Sequence, residues 1–529
     1  MNMDTPHWWQ TAVIYQIYPR SFQDSNGDGV GDLRGIIRRL PHLVELGVDA
    51  LWLSPISPSP MADFGYDVSD YTGVDPLFGD MADFDALVEA AHAANLRVIL
   101  DFVPNHSSDR HPWFIESRAS RDSPRRDWYI WRDPAPDGGP PNNWLSVFGG
   151  GAWDFDAATG QYYYHAFLAA QPDLNWRNPQ VRAALYEAMR FWLRRGVDGF
   201  RIDVIWHLIK DDQFRDNPPN PDFKPGDPPY HALIPLYTAD RDEAHEVIAE
   251  MRDAIKSFPE ALLIGEIYLP VERLVAYYGR DLAGLHLPFN FSLIGAPWRA
   301  AALKKMVDEY EAALPKGGWP NWVLGNHDKP RIASRIGRAQ ARNAAILLLT
   351  LRGTPTLYYG EEIGMTQVEI APEQARDPCA RSGSGRDGCR TPMPWDGGPH
   401  AGFSDAEPWL PLAPDFKQEN VANQRDDATS IYRLYRRLTA LRRQSKALSI
   451  GAYRPVAATG DVFVFLREFD GERIAVALNL GAEATAVSFR FGGLTGRILV
   501  SSMGDRDGEP VDGDIDLRPN EGVVIACAV

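Results

Sequence analysis

Gly199-Phe200-Arg201-Ile202-Asp203-Val204 is an apolar run that carries one cation and one carboxylate two positions apart. Residues i and i+2 of a strand share a face, so a strand here sets Arg201 beside Asp203. Just upstream, Val181, Leu185, Ala188, Met189, Trp192 and Leu193 recur on one helical face, and Gly196 marks the stop. A helix feeding an apolar strand that ends on an acid is one turn of a parallel βα repeat.

The same unit recurs on both sides. The first strand is Val13–Tyr18. A helix follows with Ile36, Leu40, Leu43 and Val44 on one face and Gly47 as its stop, then a strand at Ala50–Ile56. Phe84, Leu87, Val88 and Ala91 mark the next helix, and Arg97–Val103 the third strand. Beyond the fourth strand, 199–203, further strands are predicted at 261–267, Leu285–Phe291, Trp322–Asp328 and Gly353–Tyr359. Eight strands alternating with helices predict an α/β fold, a (β/α)8 TIM barrel whose functional face lies at the C-terminal strand ends.

Two stretches interrupt the repeat and one follows it. Residues 104–174 are rich in Trp, Tyr, Pro, Gly and Asn, with no βα unit, and read as a domain inserted after strand three. Residues 207–240 hold seven prolines between Asn217 and Pro235, too long for an ordinary loop, and suit a pocket rim. A last amphipathic helix carries Ile431, Leu434, Tyr435, Leu438 and Leu441. Beyond it, Val462–Phe465 and Ile474–Leu478 flank Asp470-Gly471, a hairpin signal. The expected division is a barrel over 1–103 and 175–449, the insert 104–174, and a C-terminal antiparallel β-sandwich domain over 450–529.

The 529 residues exceed one ordinary core. An apolar fraction of 44 % and an aromatic fraction of 11 % are those of a folded globular chain. A net charge of −17 argues against nucleic acid and against an anionic membrane surface as partners. No apolar run is long enough to span a membrane. Three cysteines, Cys379, Cys389 and Cys527, make neither a disulfide framework nor a tetrahedral zinc site. Cys379 and Cys389 either pair or stay free. Met1–Gln10 shows no signal-peptide pattern, so a cytoplasmic location is expected, as monomer or homodimer.

Asp24-Ser-Asn26-Gly-Asp28-Gly-Val30-Gly31-Asp32 places oxygen side chains at alternate positions with glycines between them. This is the layout of a hard-cation loop, with Asp24, Asn26, Asp28, Asp32 and the Val30 carbonyl as ligands for a structural Ca²⁺ or Mg²⁺. Gly35 stands where an EF-hand would need glutamate. The plainer alternative is an Asp/Gly-rich turn.

Two more predicted strand ends finish on acids, at Ile264-Gly265-Glu266 and Leu324-Gly325-Asn326-His327-Asp328. With Asp203 these converge in one bowl. Arg201 is expected to hold Asp203 ionised, while Glu266 has no adjacent cation in sequence and suits the protonated role. One attacking carboxylate and one proton-donating acid are what glycosidic cleavage needs. Asp328, His106 and His327 can hydrogen-bond hydroxyls. Ordinary strand-end acids satisfied by caps and salt bridges are the alternative for each taken singly.

Asp101-Phe-Val-Pro-Asn-His106, Gly199–Asp203, Gly265-Glu266 and Asn326-His327-Asp328 resemble the four signature regions of the α-amylase superfamily, glycoside hydrolase family 13, and the resemblance spans essentially the whole chain. It implies that Asp203 is the nucleophile, Glu266 the general acid/base and Asp328 the transition-state stabiliser of a retaining reaction. His106, Arg201 and His327 would line a glucose subsite. The metal loop, Asp63-Phe-Gly-Tyr66-Asp, Gln171-Pro-Asp-Leu-Asn175 and Arg390-Thr-Pro-Met-Pro-Trp395 are similar to the α-glucosidase and oligo-1,6-glucosidase branch. That likeness implies an exo-acting enzyme without an organic cofactor. Asp63, Tyr66 and Arg390 would hold the non-reducing glucose of maltose-, isomaltose-, sucrose- or trehalose-type α-glucosides. Phe148 and Phe167 would form an apolar wall, or simply pack the insert. Val204 is similar to the residue of enzymes that accept α-1,6 bonds, a bias of about 1–3 kcal/mol. Glucosyl transfer or disaccharide isomerisation, as in sucrose isomerase or trehalose synthase, uses the same triad. Non-catalytic binding subunits of the family typically lack it.

Overall fold

The computed structural model describes residues 5–378, 385–488 and 495–528. Eight parallel strands form one sheet: β1 Ile14–Ile17, β2 Ala50–Leu53, β3 Arg97–Phe102, β7 Gly199–Ile202, β8 Leu262–Ile267, β9 Leu287–Asn290, β10 Asn321–Val323 and β11 Thr354–Tyr358. Their order is β10-β11-β1-β2-β3-β7-β8-β9. The seam between β9 and β10 is tied by one carboxamide: Asn321 Nδ2 donates to the Pro288 carbonyl, and its Oδ1 accepts from the Asn290 amide. This rolls the sheet into the expected barrel.

Alternation along each strand separates two cores. Ile14, Trp52, Ile99, Ile264, Phe289 and Val323 fill the inside. Tyr15, Ile17, Leu51, Val98, Phe200 and Leu263 face the surrounding helices. The helix Leu33–Leu46 buries Ile36, Leu40 and Leu43, but Val44 is 46 % exposed, against expectation. Eight positions after Ile36, Val44 has turned about 80° to one side, about 100° from Leu43, while Leu46 lies to the other side, nearer Leu43, and is buried. Gly47 ends the helix at φ +82°, its amide donating to the Leu43 carbonyl.

Between β3 and β7 lie the helix Pro112–Ala119 and a three-stranded antiparallel sheet of β4 Trp131–Arg132, β5 Trp153–Asp156 and β6 Gln161–Tyr164, ordered β4-β6-β5. After the helix Ile431–Gln444 the described residues form eight antiparallel strands: β12 Ala452–Thr459, β13 Val462–Phe469, β14 Glu472–Asn479, β15 Thr485–Ser488, β16 Thr495–Ser501, β17 Pro510–Asp512, β18 Asp514–Leu517 and β19 Gly522–Cys527. They make one sheet, ordered β12-β13-β14-β19-β16-β17-β18-β15. Its far strands bring Val487, Val511, Ile515 and Leu517 onto Val462, Val464 and Ala475, so the sheet folds over its own core. Asp470 and Gly471, both at positive φ, make the two-residue turn between β13 and β14. Among the described residues no helix is long and apolar enough to cross a membrane.

Candidate active site

Arg201 is the centre of the site. On β7 it points into the barrel and is fully buried. Its Nη1 lies 2.8 Å from Asp101 Oδ1 and 2.8 Å from Asp203 Oδ1, and its Nη2 lies 2.7 Å from Glu266 Oε2. Asp203 follows the last residue of β7, its amide donating to the Phe102 carbonyl, and Glu266 sits within β8. Three carboxylates thus share one guanidinium. This corrects the expectation that Arg201 serves Asp203 while Glu266 lacks a cation: barrel curvature brings the β8 acid across to the same group. Asp101, not foreseen as a site residue, is Arg201's register partner on β3. The signal was present, since it is the one carboxylate in the strand Arg97–Phe102, at an inward position.

One cation cannot keep three buried acids ionised. Burial, then the charge of Glu266, pushes Asp203 well above the carboxylate range despite Arg201. Burial likewise lifts Asp101 to about 6, against the pull of Arg201. Asp203 and Glu266 face each other across the guanidinium they share.

Asp328 has the opposite surroundings. β10 is shorter than expected and stops at Val323. The chain then turns out, with Asn326 Oδ1 accepting from the Asp328 amide at 3.0 Å. Asp328 Oδ1 meets Arg390 Nη2 at 3.0 Å and Arg386 Nη1 at 3.2 Å, and its Oδ2 faces His327 Nε2 at 3.3 Å. Burial opposes ionisation, but His327, Arg386 and Arg390 outweigh it and hold this carboxyl far below its usual range.

Both histidines are neutral. Burial lowers His106 to about 4 and His327 to about 3. Gln16 Nε2 donates to His327 Nδ1, which leaves the proton on Nε2, and there Tyr66 Oη lies at 2.7 Å. Tyr66 stacks on His327 and in turn donates to Asp101 Oδ2. His106 Nε2 donates to the Tyr66 carbonyl at 3.1 Å.

Arg390 braces Asp328 and donates from Nε to the His327 carbonyl. Arg386, absent from the sequence reading, takes Asp63 Oδ1 at 2.6 Å while also reaching Asp328. Gln171 Nε2 donates to Asp63 Oδ2. Phe167 packs on His106, Phe148 and His207, and the Arg386 guanidinium lies over Phe148. The two phenylalanines therefore face the site and also belong to the aromatic cluster of the insert. Arg386 carried one usable signal: it stands four residues before Arg390, beyond any predicted strand.

The loop 24–32 lies apart from these groups. Asp24 accepts from the amides of Asn26, Gly27 and Gly29 and from Ser404, Asn26 from Asp28, and Asp28 from Val30. Asp32 caps the helix Leu33–Leu46 by accepting from Gly35. Among the described residues no three His, Cys, Asp or Glu side chains are grouped to hold a metal by themselves. A cation here would need Asn26 and the Val30 carbonyl as well. That all-oxygen set suits a hard cation. Cys389 is buried and free, and Cys379 lies outside the described residues.

Residues 16–451 match the family described as alpha amylase, catalytic domain. A probable alpha-glucosidase of Rhizobium meliloti (strain 1021) is 43 % identical, across 94 % of this chain and 95 % of its own. An oligo-1,6-glucosidase of Parageobacillus thermoglucosidasius is 39 % identical, across 98 % of each. Among solved structures, an alpha-glucosyl transfer enzyme, XgtA, is similar at a TM-score of 0.93 and 42 % identity, covering 99 % of this chain and 100 % of that one.

Proposed function

The chain belongs to the α-amylase superfamily, glycoside hydrolase family 13, in its α-glucosidase branch, and from that premise we propose a retaining exo-α-glucosidase that removes one glucose at a time from the non-reducing end of short α-glucosides. The observation that carries the mechanism is that Asp203 and Glu266 both lie on the one guanidinium of Arg201, at 2.8 and 2.7 Å. With substrate bound, Glu266 carries the proton to be transferred. Asp203 attacks the anomeric carbon from the oxygen that Arg201 does not hold, and the glycosidic C–O bond breaks as its oxygen takes the Glu266 proton. The Glu266 carboxylate then takes a proton from water, whose oxygen displaces Asp203 and restores the pair. Asp328, fixed as an anion by two arginines, grips hydroxyls more tightly as positive charge grows on the ring. The pairing of Asp63 with Arg386 supports a blind end that admits a single sugar.

Proton NMR of fresh reactions with maltose, isomaltose, sucrose and trehalose tests this. α-Glucose is expected first, and the fastest substrate identifies the linkage. β-Glucose first would exclude retention. A dedicated glucosyl transferase is the second reading, supported by the likeness to XgtA; it predicts new glycosidic signals and, from maltose, only the glucose expelled as the leaving group.

We also propose that Asp24, Asn26, Asp28, Asp32 and the Val30 carbonyl hold a structural Ca²⁺ or Mg²⁺. Chelation and dialysis should then lower the melting temperature, with recovery on returning the cation, because a ligand of the folded state alone stabilises it by mass action. Identical melting with and without the cation would leave only a turn.

A further inference from the structure

Val204, directly after Asp203, has φ +35° and ψ +44°. This left-handed region disfavours L-residues, and a β-branched one most of all. The turn carries the chain off β7 into the short helix Ile205–His207, with the His207 amide donating to the Val204 carbonyl. Ile205 seats this turn against β8, where a Cβ on Gly265 would stand 3.1 Å from Ile205 Cγ2. The result is that the Val204 amide points across to β8 and donates to Glu266 Oε2 at 3.0 Å. Arg201 Nη2 reaches the same oxygen at 2.7 Å.

Two N–H donors therefore converge on Oε2, and an oxygen whose lone pairs both accept cannot also carry the acid's proton. We propose that Val204 is a positioning residue whose strained backbone, with Arg201, reserves Glu266 Oε2 as the acceptor and assigns the transferred proton to Oε1. This rests on the reading of Glu266 as acid/base. From Oε1 the proton passes to the glycosidic oxygen as the C1–O bond breaks and the bond from Asp203 to C1 forms. In the second half Oε1 takes a proton from the attacking water. Backbone strain at such a point persists only where the surrounding packing over-determines it, as the seat of Ile205 beside Gly265 does here.

The test replaces Val204 by the α-hydroxy acid with the same side chain, so that an ester oxygen stands where the amide N–H was. Loss of a hydrogen bond to a charged group is expected to lower kcat/KM for maltose by about 10-fold or more. For 2,4-dinitrophenyl α-glucoside, whose leaving group needs no proton, the loss should stay under about threefold. Equal losses on both substrates would make the amide merely structural and overturn the proposal, as would no loss on either. Glu266→Gln is the control. If it too failed to distinguish the two leaving groups, the acid/base reading of Glu266 would fall, which separates that failure from this one. Strain is tested independently: Val204→Gly should melt at or above Val204→Ala, because glycine adopts positive φ without penalty and alanine does not. The reverse order would remove the strain from the argument.

Discussion

Asp203→Asn loses glucose release by about 10⁴- to 10⁶-fold in kcat while the folded protein remains. The amide is nearly isosteric and can still accept from Arg201, but it cannot form the glucosyl ester. Stability moves the other way. Asp203 is held well above the usual carboxylate range by burial and by Glu266. A carboxyl with a raised folded pKa stabilises the fold fully only below its unfolded value, and this is lost as pH rises toward the folded one. Asparagine has no such dependence. The variant should therefore melt at or above the wild type, with the advantage larger at pH 8 than at pH 5. Residual maltose hydrolysis within about tenfold of wild type, contamination excluded, would remove Asp203 from the reaction. A lower melting temperature at pH 8 would mean that its ionised form supports the fold.

Arg201→Gln is expected to be the most damaging single change to both activity and stability. The guanidinium is fully buried and faces Asp101, Asp203 and Glu266, each within 2.8 Å. Breaking a buried ion pair by removing one partner costs about 3–5 kcal/mol, and here three acids lose their shared cation. Arg201 lowers both Asp101 and Asp203, so without it Asp101 rises further above about 6 and Asp203 rises further still from its raised position. The sign of the linkage follows. Raised carboxyls destabilise as pH increases past their unfolded values, so the gap in melting temperature from wild type should widen from pH 5 to pH 8. Asp203 then ionises only at higher pH, and the acid limb of the activity profile moves toward alkaline pH. A stability gap that is flat or narrows with rising pH would show that Arg201 does not set the protonation of this cluster.

The three acids, their order along the chain and the barrel that collects them followed from the sequence alone. An inward face repeats every two residues along a strand, and apolar runs alternating with amphipathic helices leave few other architectures. The same periodicity placed Arg201 beside Asp203, because that contact is local. Contacts between strands were decided elsewhere. Which acids share Arg201 depends on lateral register and curvature, which bring Asp101 of β3 and Glu266 of β8 onto one guanidinium. That Arg386 meets Asp63 could not be read from the sequence, because it lies on an irregular segment with no repeat to fix its direction. The left-handed backbone of Val204 is likewise invisible in its residue type, since valine is among the side chains least suited to that conformation. Sequence periodicity supplies the inward direction of a side chain; only packing across the barrel supplies its partner and, through that partner, its charge.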